Sequence, residues 1–163
     1  MRSLSEAAEL RATPVIGAYL LWHFVKGYRK ERKSSPSVVL LFVAMAILTD
    51  EKLSSYVGSH RNLSCFRRSM VAKKESDVFA MLTRKIKKKL KYTTAALDVA
   101  VGAHLLGWNA DEATIKDFTA AKDEKEVLPG HVLRMATKAG QLGKLFAKCG
   151  DGPSVIIELG VKL

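Results

Sequence analysis

Residues 84 to 91 read Arg84-Lys85-Ile86-Lys87-Lys88-Lys89-Leu90-Lys91, six cations in eight positions. Clustered cations suit a phosphate backbone, because that contact needs charge and little geometry. Arg84, Lys85, Lys87, Lys88 and Lys91 are therefore the candidate DNA-backbone contacts. The competing reading is a solvated helix face whose lysines sit near a helix C-terminus, where the dipole favours them. Other chemistry is sparse. His23, His60, His104 and His131 make no metal-ligand spacing with a neighbour, so no metal is expected. His23 and His104 fall on apolar segments and read as core histidines. Asp50, Glu51, Asp98, Asp111 and Glu112 form no evident catalytic pairing. There is no Gly-x-Ser-x-Gly and no Gly-x-x-x-x-Gly-Lys-Ser/Thr, so an enzyme and a nucleotide cofactor are both disfavoured.

A basic surface extends beyond that run. The formal charge is +11 over 163 residues, which suits a polyanionic partner, an acidic protein surface or a membrane face, or is an idle basic surface. A 48% hydrophobic fraction supports one domain with a mostly aliphatic core. Cys65 and Cys149 show no paired spacing, and no signal-peptide core follows Met1. A cytoplasmic protein is expected. The apolar runs Val15–Val25 and Val38–Leu48 hold eleven residues each. At 1.5 Å per residue each spans roughly 16 Å, too short for a hydrocarbon core of about 30 Å.

The elements follow from start and stop signals. Thr13-Pro14 caps a helix to about Arg32, and Ser35-Pro36 launches a second to Leu48, apolar all round and so central. Thr49 caps a short helix to about Val57, and Ser64 another through Met70. Ser76 caps a helix with Val78, Phe79, Leu82, Ile86 and Leu90 as its inward stripe, and Thr93 to Leu105 forms the next. Leu105–Trp108 and Ala113–Lys116 flank a turn and predict a hairpin, or wing. A long helix from about Pro129 to Lys148 carries Ala136, Ala139, Gly140, Gly143 and Ala147 at close-packing spacing, against this subunit or a partner. Ser154 to Val161 reads as a closing strand with Val155, Ile157, Leu159 and Val161 inward.

The fold class is therefore mostly α with a small β wing. It is read as a single domain over 1–163, with a helical N-terminal lobe over 13–75 and a winged-helix-like lobe over 76–163. Within that second lobe the Thr93–His104 segment would be the recognition helix, yet it holds no Arg, Lys, Asn or Gln to read bases. Protein docking suits it better. Trp22, Tyr28, Trp108, Leu159 and Val161 are the candidate partner-interface residues.

Order and spacing of several segments carry a resemblance. A Thr-Pro-led helix ends in Val25-Lys26-Gly27-Tyr28, an apolar segment spans Val38 to Leu48, and the chain closes on Leu159-Gly160-Val161-Lys162. Over residues 13–163 this resembles the middle component of three-component ABC systems, including the accessory subunit of Lamassu-type bacterial defence. Where many members carry Arg-x-x-Leu-Pro, this chain has Thr49–Tyr56 with neither Arg nor Pro. The resemblance implies a non-catalytic adaptor between a DNA-sensing ATPase of the SMC type and a toxic effector, often a nuclease. It also implies double-stranded DNA as a partner through the complex, and no membrane. The alternative reading is a free-standing winged-helix DNA-binding regulator.

Overall fold

A computed structural model describes residues 13–58, 60–72, 81–118 and 128–162. The elements are α1 (Pro14–Arg32), α2 (Val38–Leu48), α3 (Glu51–Tyr56), α4 (Leu63–Ala72), α5 (Leu82–Gly102), β1 (Leu106–Asn109), β2 (Thr114–Asp117), α6 (Gly130–Cys149) and α7 (Gly152–Leu159). The fold is mostly helical with a small antiparallel hairpin, as the sequence predicts. Ser76, Val78 and Phe79 lie outside the described residues.

Helix α1 is the spine. Thr13 stands at its N-cap and Pro14 at its first turn, where a missing N–H costs nothing. Its small residues allow close neighbours. Gly27 meets α6 and Gly17 meets α5, where an added methyl would lie 2.8 Å from the Ala96 Cβ. Phe24 of α1 packs edge-on against Phe146 of α6 at 5.4 Å. The small-residue stripe of α6 is thus used inside this subunit, against α1.

Helix α2 lies in the interior, with every residue from Val43 to Leu48 buried. Each such large aliphatic contributes about 1.5–3 kcal/mol by leaving water. It starts at Val38 with Ser37 as N-cap, two residues later than the Ser35-Pro36 signal. The reason is that Pro36 is buried and its carbonyl accepts from the Ile115 N–H at 3.0 Å, which holds it extended beside the hairpin. Similarly, α3 is capped by Asp50, whose carboxylate accepts from the Leu53 N–H at 2.9 Å, rather than by Thr49. The Thr49 hydroxyl donates back to the Met45 carbonyl at 2.6 Å. Asn62 serves α4 in the same way, bonding the Cys65 N–H at 2.9 Å, while Ser64 donates to Glu158.

Three expectations are corrected here. The segments assigned to two helices over 78–105 form the continuous α5. Thr93 and Thr94 do not interrupt it. Thr93 is buried in the packed face, and the Thr94 hydroxyl bonds the Leu90 carbonyl one turn back. Leu90 falls off the inward stripe and is exposed; the stripe continues instead through Thr93, Ala96 and Ala100. The closing segment is helix α7, not a strand. Asp151 accepts from the Ser154 N–H at 3.0 Å, Pro153 sits in the first turn, and Gly160 ends the helix at φ 66. These are ordinary helix start and stop signals. The Val155-Ile156-Ile157 run suggested a strand because β-branched residues favour one, but its buried positions, Val155 and Leu159, are four apart.

The hairpin pairs Leu106 with Asp117 and Asn109 with Thr114. Its β2 strand is also bridged on the other edge, Ser37 against Thr114. Arg29 of α1 fixes the base of the hairpin, with its guanidinium 2.5 Å from the Asp117 carboxylate. One core cluster runs from Ala18 to Val161 and includes residues on both sides of the 75/76 division.

Candidate nucleic-acid interface

The cationic run occupies the first half of α5. Along a helix of 3.6 residues per turn, Arg84, Lys87, Lys88 and Lys91 share one face, opposite the buried Leu82, Ile86, Thr93, Ala96 and Ala100. All four are exposed, and none has an acidic partner among the described residues. Lys85 differs. It lies nearer the packed side and its ammonium pairs with the Asp50 carboxylate that caps α3. Burial alone would raise the Asp50 pKa. The hydrogen bonds from Lys85 and the Leu53 N–H outweigh it and hold the carboxyl below its usual value. Lys89 extends over the Tyr92 ring at 5.5 Å. Burial pushes the Tyr92 hydroxyl pKa up to about 12, and that hydroxyl donates to the Thr13 carbonyl at 3.0 Å.

Position along the helix decides what these cations mean. The reading as a solvated C-terminal face required the helix to end near Lys91. It ends at Gly102, so the cations occupy the positive end of the macrodipole, with no acidic residue in the first turn. Placement there costs about 0.3–1 kcal/mol per charge near the terminus, and like charges at three- and four-residue spacing repel by about 0.2–0.5 kcal/mol per pair. A bound polyanion reverses both terms. The cations line one side of an open groove of about 1010 Å³, closed on the other side by Ala46, Thr49 and Asp50. The exposed positions of the second half of α5 are Thr94, Asp98, Val101 and Gly102, so the cationic face does not continue there.

Four of the five candidate interface residues are interior to this subunit. Trp22, Tyr28, Leu159 and Val161 are buried in this subunit's own core. Trp22 carries the Lys26 ammonium 3.5 Å above its ring. The Tyr28 hydroxyl donates to the Gly150 carbonyl at 3.2 Å. Burial, against the nearby Arg32, raises the Tyr28 pKa. Only Trp108, on β1, is open, at 49% exposure. The histidines divide. His23 packs half-buried against Tyr19 and Trp22, with ring centroids 4.5 and 5.3 Å away. His104 is not in the core. It follows the end of α5, exposed, at φ 55. Among the described residues no group of three or more His, Cys, Asp or Glu could hold a metal ion. No helix there is long and apolar enough to cross a membrane.

Two placements near the groove are not visible in the cationic run itself. Asp50 is the acidic anchor of the groove, and its signal was the helix-capping spacing Asp50-x-x-Leu53. Arg134 and Lys138 lie four apart on α6 and line a separate cavity with Thr49 and Glu51, a placement with no local sequence signal.

The fold and groove together define a small, mostly helical protein with a two-stranded hairpin and a cation-lined face. The chain belongs to the ABC-three component (ABC-3C) system Middle Component 3 family, whose profile matches residues 1–163. It is thus the middle component of a three-component system and works with partner components. No curated protein and no solved structure matches the chain.

Proposed function

We propose that this chain is a non-catalytic, cytoplasmic adaptor that joins an SMC-type ABC ATPase to a toxic effector, a nuclease, and restrains the effector until foreign DNA is sensed. Its nearest functional analogy is the accessory subunit of Lamassu-type antiphage and antiplasmid defence. The observation that carries the DNA part is the unpaired cationic face at the positive end of α5. That face would touch duplex DNA through its phosphates while the ATPase holds it. Family membership supports the adaptor part, and Trp108 is the exposed aromatic best placed to meet a partner.

The test is co-expression with the two other components. The tagged chain should retain both, and deleting it should uncouple effector toxicity from the presence of phage or plasmid DNA. Retention of neither component would sink the adaptor reading.

A second reading keeps one structural argument. The Ser37 bridge, helices α2 to α5 and the β1–β2 hairpin follow in that order, and the pairing of β2 on both edges supports a winged-helix reading. A free-standing regulator built this way would bind one duplex sequence far more tightly than others. An adaptor holding only phosphates would bind all duplexes alike.

A further inference from the structure

A second cavity, of about 280 Å³, adjoins the α5 groove, and Thr49 lines both. Its walls include Glu51 and Ser54 from α3 and His131, Arg134 and Lys138 from α6. The small helix α3 is gripped from both sides by cations. Lys85 of α5 pairs with Asp50 at its N-terminus, and Lys138 of α6 donates to the Ser54 carbonyl at 2.9 Å. Those two lysines are committed to holding the fold. Arg134, one turn before Lys138, is exposed and has no partner among the described residues. The Nε2 of His131 is buried and makes no hydrogen bond. Cations of two helices thus flank one short corner, Thr49 to Ser54.

We infer that the phosphate-binding surface does not stop at α5 but crosses this corner to Arg134, forming one track for a duplex DNA backbone. This rests on the DNA-contact reading of α5 given above and extends it. From Arg84 to Lys91 the cationic face covers about 10 Å, roughly three base-pair steps of duplex axis at 3.4 Å each. A track that ends there would hold DNA at one point and leave its direction free. A contact on α6, beyond the Thr49 that lines both cavities, would fix the direction of the duplex across the subunit.

The experiment measures anisotropy of a labelled mixed-sequence 30-base-pair duplex with the purified full chain between 50 and 200 mM salt. Variants are Arg134→Ala, Lys88→Ala and, as a control on α6 outside the corner, Lys148→Ala. Removing one cation from a phosphate lowers the salt slope by about 0.9, so affinity should fall about 3.5-fold less over this range. Arg134→Ala should match Lys88→Ala in that change, and Lys148→Ala should match the unaltered chain. If Lys88→Ala changes the slope and Arg134→Ala does not, the α5 contact stands and the extension to α6 is wrong. If neither changes it, the α5 reading itself falls. Two further probes close the alternatives. Loss of poly-glutamate binding in Arg134→Ala, with duplex binding intact, assigns the corner to an acidic protein. Tripolyphosphate binding as tight as the duplex makes it a compact anion pocket. Either result overturns the track.

Discussion

Gly27 of α1 and Gly140 of α6 touch backbone to backbone: a methyl built on Gly27 would overlap the Gly140 carbonyl and lie 2.9 Å from its Cα. Gly143 makes the reciprocal approach, with a built methyl overlapping the Phe24 carbonyl and 2.9 Å from the Tyr28 nitrogen. Glycine in a helix costs about 1 kcal/mol against alanine, so this close approach is where that cost is offset. Gly27→Ala should push the two helices apart and destabilise by about 1–3 kcal/mol, as overpacking does. Gly102→Ala, with nothing within 4 Å, should be neutral or mildly stabilising. Urea midpoints of the two variants check this. Equal midpoints would show that the helices do not touch at Gly27.

That approach also shows what the sequence could and could not reveal. The stripe Ala136, Ala139, Gly140, Gly143 and Ala147 announced a close neighbour, but its partner, Gly27, lies more than a hundred residues away and reads locally as the end of a turn. Start signals and apolar runs located α1 and α2, small-residue spacing marked α6, and the hairpin was visible from its turn, because these signals are local. The continuity of α5 was hidden because Thr93 resembles a new cap until its burial is known. At α7 two local signals conflicted. The caps at Asp151 and Gly160 prevailed over the strand preference of Val155–Ile157, since burying Val155 and Leu159 requires a four-residue repeat. The cations were legible as a run, while their unpaired state and the arrival of Arg134 depend on tertiary placement.

Asp50 should make stability acid-sensitive. Its folded pKa is held below its unfolded value, so below that unfolded value the unfolded state takes up the proton first. The stabilisation is thus complete above the ordinary aspartate range, near pH 4, and is lost as pH falls through the lower folded value. At pH 7, Asp50→Ala removes both the α3 cap and the partner of Lys85, and should cost about 1 kcal/mol or somewhat more. Urea unfolding at pH 7 and pH 3 should show the gap between the variant and the unaltered chain narrowing at pH 3. A gap that widens in acid would contradict the assignment.

The hairpin should depend on Arg29. Its guanidinium joins the Asp117 carboxylate at 2.5 Å and the Asp117 carbonyl at 3.3 Å, with the Asp117 side chain only 12% exposed. Removing either partner leaves a partly buried polar group unpaired, which costs about 1–3 kcal/mol. Because the Arg29 side chain is 34% exposed, the lower end of that range is expected. Asp117→Ala and Arg29→Ala should each destabilise, and the double variant should cost less than their sum. Full additivity would mean that the pair contributes nothing.

The C-terminal helix gives the sharpest test of which residues hold the end of the chain. A strand would bury Val155, Ile157, Leu159 and Val161 on one side. Helix α7 buries Val155 and Leu159 but turns Ile157 out to 78% exposure, while Val161, past the Gly160 cap, is buried. Leu159→Ala should therefore cost about 2–5 kcal/mol, the loss from a filled core position. Ile157→Ala should stay within about 0.5 kcal/mol. Deleting residues 157–163 removes Leu159 and Val161 together, and also the Glu158 carbonyl and carboxylate that Arg67 and Ser64 bond. That truncation should fail to fold or to assemble with the partner components, since its loss rivals the roughly 5–15 kcal/mol stability of a domain. The measurements are urea midpoints for the point variants and co-purification yield for the truncation. If Ile157→Ala proves as damaging as Leu159→Ala, the segment packs as a strand, or a partner covers Ile157, and α7 does not end the isolated subunit as described.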